Sequence, residues 1–433
     1  MKITYKYISV LVFSLTLTLS YAQVGSPYSQ YGLGDNSYKG FEQSKAMGGI
    51  GFGLRSKYQL NNLNPASYST LDSMSVIYAI GFNAGYNHIE STIDNVDKKD
   101  VQFGYFALGF RINRFWSSSF GLSPVSKVNY TYKTTENSNE HGRIDYYLHG
   151  SGGLNKIYWG NAFTIKKKLF LGINLSYVFG PINRTSTVVF ADDWVNLDNT
   201  KMNIQVNTYD FSLDYGIQYK FDLKNKSNII LGAVFANKIN LKTNGKILAG
   251  TTRNSANLEE NHYEKIFTGE LESIAIDSSG IKGEISLPTT FGFGFTYTKD
   301  NKFLIGSDIH FRKWSSIEDD FTNVEYRDRI SLRAGAEYTP NYNSGNHYFQ
   351  RVRYRLGGHY TMNHIVVKDV GINEYGVSFG FGLPLRNTNT SFNISCELGQ
   401  RGTLEQNLLR ETYAIISLNI SLSDIWFVKR KFK

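Results

Sequence analysis

Strict alternation of apolar and polar residues over many long segments is the feature that most restricts how this chain can fold. Between Tyr209 and Phe221, the odd positions are tyrosine, phenylalanine, leucine or isoleucine, and the even positions are small, polar or charged. Successive side chains of a strand point to opposite faces, so this segment has one wholly apolar face. Such a face is typical of a membrane barrel, in which apolar side chains meet lipid and polar ones line a lumen. The pattern predicts an all-β, transmembrane, antiparallel β-barrel.

The alternation recurs from about Val76 to the C-terminus. We count about 14 strands, an even number as expected for a single-chain bacterial barrel. Their approximate centres are Ile80, Tyr105, Lys127, Trp159, Leu175, Leu213, Leu231, Phe293, Ile309, Leu332, Leu356, Phe379, Ile394 and Leu418.

The predicted connections alternate in length, which is an independent test of the strand count. Those after even-numbered strands are mostly tight, and those after odd-numbered strands tend to be longer. The tight ones include 113–114, 166–168, 222–226, 299–301 and 386–388; the long ones include 192–201, 250–282 and 315–326. Short periplasmic turns and long extracellular loops are usual in outer-membrane barrels, so we expect both termini to be periplasmic.

The N-terminus indicates export. Lys2 and Lys6 precede an apolar stretch from Ile8 to Leu19, and small residues at Ser20 and Ala22 suit cleavage before Gln23. We therefore assign residues 1–22 to a signal peptide, with a retained anchor as the alternative. Export to the Gram-negative cell outer membrane also argues against a nucleic-acid partner, although the formal net charge is +9.

Residues 23–72 do not alternate, whereas residues 73–433 carry the barrel pattern. The irregular segment is rich in glycine and contains apolar residues such as Met47, Ile50 and Phe52. A disordered leader would have few such residues, so we predict a plug inside the barrel, with a disordered periplasmic leader as the alternative.

Three short motifs carry a resemblance to a known family. The motif Asn64-Pro65-Ala66 precedes the first strand, and the segments 26–32 and 426–431 have distinctive sequences. Together they resemble the FadL-like family of outer-membrane transport proteins, in particular its Bacteroidetes members. The resemblance implies a 14-stranded barrel with an N-terminal hatch, and passive uptake of hydrophobic or amphipathic molecules such as long-chain fatty acids. The same motif occurs in FadL-like barrels of gliding and type IX secretion machinery, and the terminal Phe432-Lys433 departs from the usual proteobacterial ending.

Alternation also predicts which side chains line the lumen. A basic wall is expected on three adjacent strands, formed by Arg333, Arg351, Arg353, Arg355 and His359. Guanidinium groups stay charged and suit carboxylate or phosphate, so this wall could bind the anionic head of a ligand. The alternative is a salt-bridge network that holds the plug, with Asp35, Glu42, Asp210 and Asp214 as partners.

Ser123-Pro124 lies within the third predicted strand. Proline removes a ladder hydrogen bond, so a local kink is expected there. FadL-like transporters resemble this in having an inward kink of the third strand that opens a lateral gate. The alternative is that Pro124 lies just beyond the hydrogen-bonded wall.

Taken together, the sequence predicts a channel and not an enzyme. The rival hypothesis is a non-transporting barrel that acts as a partner or anchor in a type IX secretion or gliding assembly. The expected partners are outer-membrane lipids and lipopolysaccharide, a hydrophobic small-molecule ligand, the barrel assembly machinery and, on the rival hypothesis, secretion-machinery proteins. We expect no cofactor, no metal and no catalytic residue, and the single cysteine, Cys396, should face lipid as an inert side chain.

Overall fold

The computed structural model describes residues 25–36, 39–139, 142–190, 198–252, 271–317, 326–345, 347–386 and 388–425. The predicted signal peptide, most of the 250–282 connection and the segment 426–431 lie outside the described residues. Within the described residues, no helix has the length and apolar character needed to cross a membrane.

Strands of 9 to 24 residues and very short helices form the regular structure of the described chain. The strands are β1 (Ser75–Glu90), β2 (Asn95–Arg111), β3 (Trp116–Pro124), β4 (Val128–Ser138), β5 (Gly142–Gly152), β6 (Asn155–Ile165), β7 (Leu169–Phe190), β8 (Asn199–Asp222), β9 (Ser227–Ala236), β10 (Ile239–Thr252), β11 (Ser273–Leu287), β12 (Thr290–Lys299), β13 (Phe303–Arg312), β14 (Arg329–Tyr338), β15 (Arg353–Val367), β16 (Val370–Pro384), β17 (Ser391–Gly402) and β18 (Arg410–Ile425). The helix α1 spans Glu42–Lys45, and 3-10 turns span Pro27–Gln30, Pro65–Thr70, Trp314–Ser316, Tyr348–Gln350 and Glu405–Asn407.

Antiparallel pairing of neighbouring strands closes the sheet into a barrel. The last strand, β18, pairs with β1 along its whole length, from Ser75 opposite Ile425 to Glu90 opposite Arg410. Four barrel strands are each interrupted once, at the β3/β4, β5/β6, β9/β10 and β11/β12 junctions. Counting each interrupted strand once gives 14 antiparallel strands in the described chain, so the predicted fold is confirmed.

The outer face of the barrel is apolar. Phe211 is 61% exposed, Phe293 is 60% exposed and Leu356 is 64% exposed. In each of their strands, the alternate side chains point inward. Exposed aromatic and aliphatic residues of this kind recur on every side of the barrel, which is the arrangement that lipid contact requires. Cys396 lies on the same outer face and is partly exposed, between Ile394 and Leu398.

The two ends of the barrel differ in their connections. One end, called here the turn end, carries the tight turns at 166–168, 223–226 and 300–302, each of which has two residues with positive φ values. The opposite end, called the loop end, carries the connections at 191–198 and 253–272. The predicted loop 250–282 is too long, because β10 continues to Thr252 and β11 begins at Ser273. Not every connection follows this difference in length: 339–352 is long at the turn end, and 91–94 and Lys368-Asp369 are tight at the loop end.

Part of the sheet continues past the barrel at the loop end. β7 has 22 residues and β8 has 24, whereas about 9–11 residues suffice to cross a bilayer. We name the continuation the upper sheet; it consists of β4, β5, the second half of β7, the first half of β8, β10 and β11. Its inner side packs on Leu33 and Trp314, both buried.

The chain before β1 lies inside the barrel as a plug. Met47, Ile50 and Leu54 are completely buried, and they pack together with Leu304 of the wall. A second group, which includes Phe41 and Leu60 of the plug, packs against Tyr105 and Tyr158 of the wall. The apolar residues of the irregular N-terminal segment therefore form the core of the molecule, as the sequence predicts.

Candidate functional site

The Asn64-Pro65-Ala66 motif fastens the plug to the wall. The Asn64 side chain caps the following 3-10 turn, because its Oδ1 accepts a hydrogen bond from Ala66 N at 3.0 Å. Its Nδ2 donates to the carbonyl oxygen of Phe52 at 2.8 Å, within the plug, and to that of Ile217 at 3.2 Å, on β8. Asn64 thus joins two plug segments to the wall with a single amide.

Glycines of the wall make room for the plug backbone. A Cβ at Gly216 would lie 2.1 Å from Asn64 Oδ1, and one at Gly357 would lie 2.1 Å from the carbonyl carbon of Met47. Both distances are far below van der Waals contact, so these positions require glycine for close approach of the plug. The inward-facing glycines therefore mark the path of the plug along the wall.

Three members of the predicted basic wall contact the plug. Arg333 donates to the carbonyl oxygen of Gly49 at 2.9 Å. Arg355 donates to Gln59 Oε1 of the plug at 3.1 Å and to Glu337 at 2.8 Å. His359 Nε2 lies 3.1 Å from the Lys39 ammonium. These contacts join the wall to the plug, but none of them is an ion pair with Asp35, Glu42, Asp210 or Asp214, the partners that the plug-holding interpretation names.

The other two arginines of that wall have different positions. Arg353 is the first residue of β15 and is half-buried. Arg351 precedes the strand, in the long connection at the turn end, where its guanidinium stacks on the Tyr348 ring at 5.4 Å. Val352, between these two arginines, is buried in the same connection. The alternation that predicted this group therefore begins two residues later than the sequence suggests.

A buried charge network at the centre of the lumen holds the plug segment around Lys39. The Lys39 ammonium donates to Glu397 at 2.6 Å and to Glu374 at 3.0 Å. Arg401 pairs with Glu374 at 3.0 Å and with Asp35 of the plug at 2.8 Å. Each charge has an opposite partner, as buried charges require.

The same network contains the side chains best suited to hold a metal. Ligand atoms of His359, Glu374 and Glu397 lie within 4.8 Å of one another. The Lys39 ammonium contacts all three groups, so it supplies the positive charge that a cation would supply. We therefore assign this group to plug docking.

Helix α1 brings two further charges to the lumen. Glu42 is 2% exposed and accepts a hydrogen bond from Ser395, and burial raises the pKa of its carboxyl group, although Lys45 opposes the shift. The Lys45 ammonium donates to Asn83 Oδ1 at 2.6 Å. No carboxylate of the described residues forms an ion pair with Lys45.

Pro124 lies where the third barrel strand breaks. Ser123 and Pro124 are the last residues of β3, and β4 begins at Val128. The backbone groups between β3 and β4 still form hydrogen bonds. Ser126 exchanges two with Leu154 of the wall, and Lys127 exchanges two with Asp35 of the plug. The proline therefore coincides with an inward kink that binds the plug.

The kink leaves a gap in the barrel wall. β2 pairs with β3 only from Phe106 to Arg111, and its segment from Asn95 to Tyr105 has no ladder partner on that side among the described residues. β4 pairs only with β5. Three side-chain contacts span the gap among the described residues. The Lys127 ammonium lies 2.5 Å from Asp100 and donates to Gln102 Oε1 at 3.4 Å, and Lys98 donates to the carbonyl oxygen of Thr131 at 3.4 Å.

A cavity of about 210 Å³ lies behind this gap. It reaches from the kink to the central charge network, and its lining combines polar and charged side chains with apolar surface. Its lining includes Lys45, Asn83, Asp100, Lys127, Glu397 and Arg401, together with the apolar Val125 and Ile415.

A family model named BamG matches residues 4–433, which is nearly the whole chain. The chain belongs to the BamG family. No curated protein matches it.

Several solved structures share the fold of this BamG-family chain. The toluene transporter TodX of Pseudomonas putida is 14% identical, with 89% of this chain and 97% of TodX covered and a TM-score of 0.55. The toluene transporter TbuX of Ralstonia pickettii is 13% identical, with 89% and 99% covered and a TM-score of 0.55. A Pseudomonas aeruginosa FadL homologue is 11% identical, with 84% and 93% covered and a TM-score of 0.53. At these identities the likeness establishes a FadL-like fold, as the N-terminal motifs predict.

Proposed function

We propose that this protein is an outer-membrane channel that admits amphipathic small molecules from the side of the barrel. The observation that carries the proposal is the gap between β2 and β4, because residues from both of its edges line the cavity behind Pro124. A transmembrane barrel otherwise pairs every strand edge, because unpaired backbone groups in lipid are costly. A break in this closure is therefore expected where a ligand enters.

The lining of the cavity indicates the kind of ligand. An apolar chain would lie along Val125 and Ile415, beside the gap. The inner part is charged, and Lys45 forms no ion pair with a described carboxylate, although Glu42 and Glu397 act on it from a greater distance. Lys45 is therefore the group we assign to an anionic head. Long-chain carboxylates belong to this class, whereas a plain hydrocarbon would leave the charged lining unused.

The test is a reversible block of the gap. Asp100→Cys and Lys127→Cys, in a Cys396→Ser background, place two thiols on opposite sides of it, and a reducible bis-maleimide linker would join them. We expect uptake of a fluorescent long-chain carboxylate into proteoliposomes to stop after linking and to recover after reduction. A matched control pair, Glu90→Cys with Arg410→Cys, links β1 to β18, where the ladder is continuous. Unchanged uptake after complete linking at the gap would refute lateral entry.

A second candidate function is that of a partner barrel in outer-membrane assembly. The name BamG has the form used for subunits of the barrel assembly machinery, and the upper sheet offers a surface for a partner. Ile274 and Ile276 of β11 are 59% and 48% exposed there, beyond the barrel. A secretion or gliding assembly would use the same surface.

Photo-crosslinking in cells separates the two functions. A photoreactive residue at Ile276 should capture a subunit of the assembly machinery if the second function holds, whereas one at Asn225, in a tight turn at the other end, should not. The absence of any crosslinked subunit at Ile276, together with uptake that depends on the gap, would favour the channel.

A further inference from the structure

Two arginines face each other inside the barrel, and neither forms an ion pair with a carboxylate of the described residues. Arg312 ends β13 and Arg329 begins β14, and the two residues are directly opposite in the antiparallel register. Both lie on the inward face, in line with His310 and Ser331, which are buried. Like charges directly opposite on neighbouring strands repel each other, so this pair needs a compensating charge.

The contacts of these arginines do not supply that charge. Arg329 is 5% exposed and donates to the carbonyl oxygen of Asn36 at 2.6 Å, a neutral acceptor. Arg312 makes no hydrogen bond or ion pair with any described residue. Arg333 lies four residues beyond Arg329 on the same face of β14, and it donates to another neutral acceptor, the carbonyl oxygen of Gly49.

The carboxylates of the surrounding elements already have partners. Asp214 of β8 pairs with Lys156 at 3.5 Å. Asp35 and Glu374 both pair with Arg401, at 2.8 and 3.0 Å. Asp308 of β13 accepts from Gly51 N at 2.6 Å and from Phe52 N at 2.9 Å, and so holds the plug. Hence no described carboxylate forms an ion pair with either arginine, and Asp214, Asp35 and Glu374 act on them only from a greater distance.

We infer that Arg312 and Arg329 form a binding site for an oxyanionic group. Burying guanidinium groups without a counter-charge is costly, and a bound oxyanion removes the cost. Each guanidinium presents a planar fork of donors that matches phosphate, sulfate or carboxylate oxygens. Arg312 is half-buried, so a ligand in the lumen can reach it.

The chemistry shared by the ligands of this site is an oxyanion, which could belong to free phosphate or to a phospholipid head. The site is formed by β13 and β14, and none of its residues lines the cavity behind the gap. The inference is therefore independent of lateral uptake, and either can fail without the other.

Thermal unfolding of the full-length protein in detergent tests the inference. Inorganic phosphate is added to wild type, to Arg312→Gln, to Arg329→Gln and to Arg410→Gln, against chloride at equal ionic strength. Arg410 is a matched control, because it pairs with Glu90 at 2.7 Å near the loop end. We expect phosphate to stabilise wild type and the control equally, and the apparent affinity to fall at least about tenfold in either lumen variant, as for a lost charge-assisted hydrogen bond.

The control experiments make each outcome decisive. Without phosphate, Arg312→Gln should be at least as stable as wild type, because it removes a like-charge contact; this also shows that the variant folds. Equal stabilisation by chloride and phosphate, or an unchanged phosphate response in both lumen variants, would overturn the inference. Native mass spectrometry of protein extracted from its membrane distinguishes the two sources of the oxyanion. Phospholipid that stays bound to wild type but not to Arg329→Gln identifies a lipid head. Wild type that carries no phospholipid but still responds to phosphate identifies a free oxyanion.

Discussion

Replacement of Arg355 by glutamine should loosen the plug. Arg355 donates to Glu337 at 2.8 Å, to Asn393 at 2.9 Å and to Gln59 of the plug at 3.1 Å, and its guanidinium is fully buried. Breaking a buried pair by removing one partner costs about 3–5 kcal/mol. Because Gln43 still donates to Glu337, at 3.3 Å, we expect the lower end, about 3 kcal/mol, or about a hundredfold in the docking equilibrium.

Two measurements report on this equilibrium. Conductance in planar bilayers should rise in Arg355→Gln as the plug leaves the lumen, and the temperature at which the folded barrel loses its faster gel mobility should fall. Arg410→Gln is the control: its pair with Glu90 is 39% and 35% exposed, so it should cost only about 0–1 kcal/mol. If Arg355→Gln matches this control in both measurements but binds a long-chain carboxylate more weakly than a neutral ester, Arg355 binds a ligand and our plug-holding argument is wrong.

Two further predictions concern the plug motif and the orientation. Asn64→Ala removes the cap of a 3-10 turn and the donor to two described carbonyl groups at under 3.3 Å. We expect the free energy of unfolding to fall by about 1–3 kcal/mol, as measured by thermal unfolding. The control Ser73→Ala, at an exposed position before β1, should leave it unchanged. If both termini are periplasmic, then in a Cys396→Ser background Ile93→Cys, in a loop-end connection and 96% exposed, should react with an impermeant maleimide on whole cells, whereas Lys224→Cys should not; the reverse result would invert the topology.

Strand number and facing could be predicted because they follow from a period of two. Tyr209, Phe211 and Ile217 are exposed on the outer face as alternation requires. The position of Lys127 was not predictable in the same way: it was taken as a strand centre but lies in the break between β3 and β4. Alternation continues through the break, and only Pro124 signals that the ladder stops.

The plug contacts could not be predicted, since an irregular segment has no period from which facing can be read. Lys39 and Lys45 therefore gave no signal, although one organises the central charge network and the other lines the cavity. Arg401 could have been found, because it shares the inward face of β17 with Glu397. Its role depends on Asp35, a distant residue of the plug that only the folded structure brings to it.

The charges of the lumen divide into two groups with different physical consequences. Arg355, Arg401 and Lys39 each form ion pairs with carboxylates. The pairs of Lys39 and of Arg401 with Asp35 join the plug to the wall, so they fix the position of the plug. Among the described residues, Arg329 has only a neutral acceptor and Arg312 has no hydrogen-bond partner, so their burial is costly until an anion arrives. A barrel that only needed to hold its plug would have no reason to keep the second group. The persistence of uncompensated guanidinium groups beside a saturated network is therefore the strongest indication in this structure that the lumen binds a ligand.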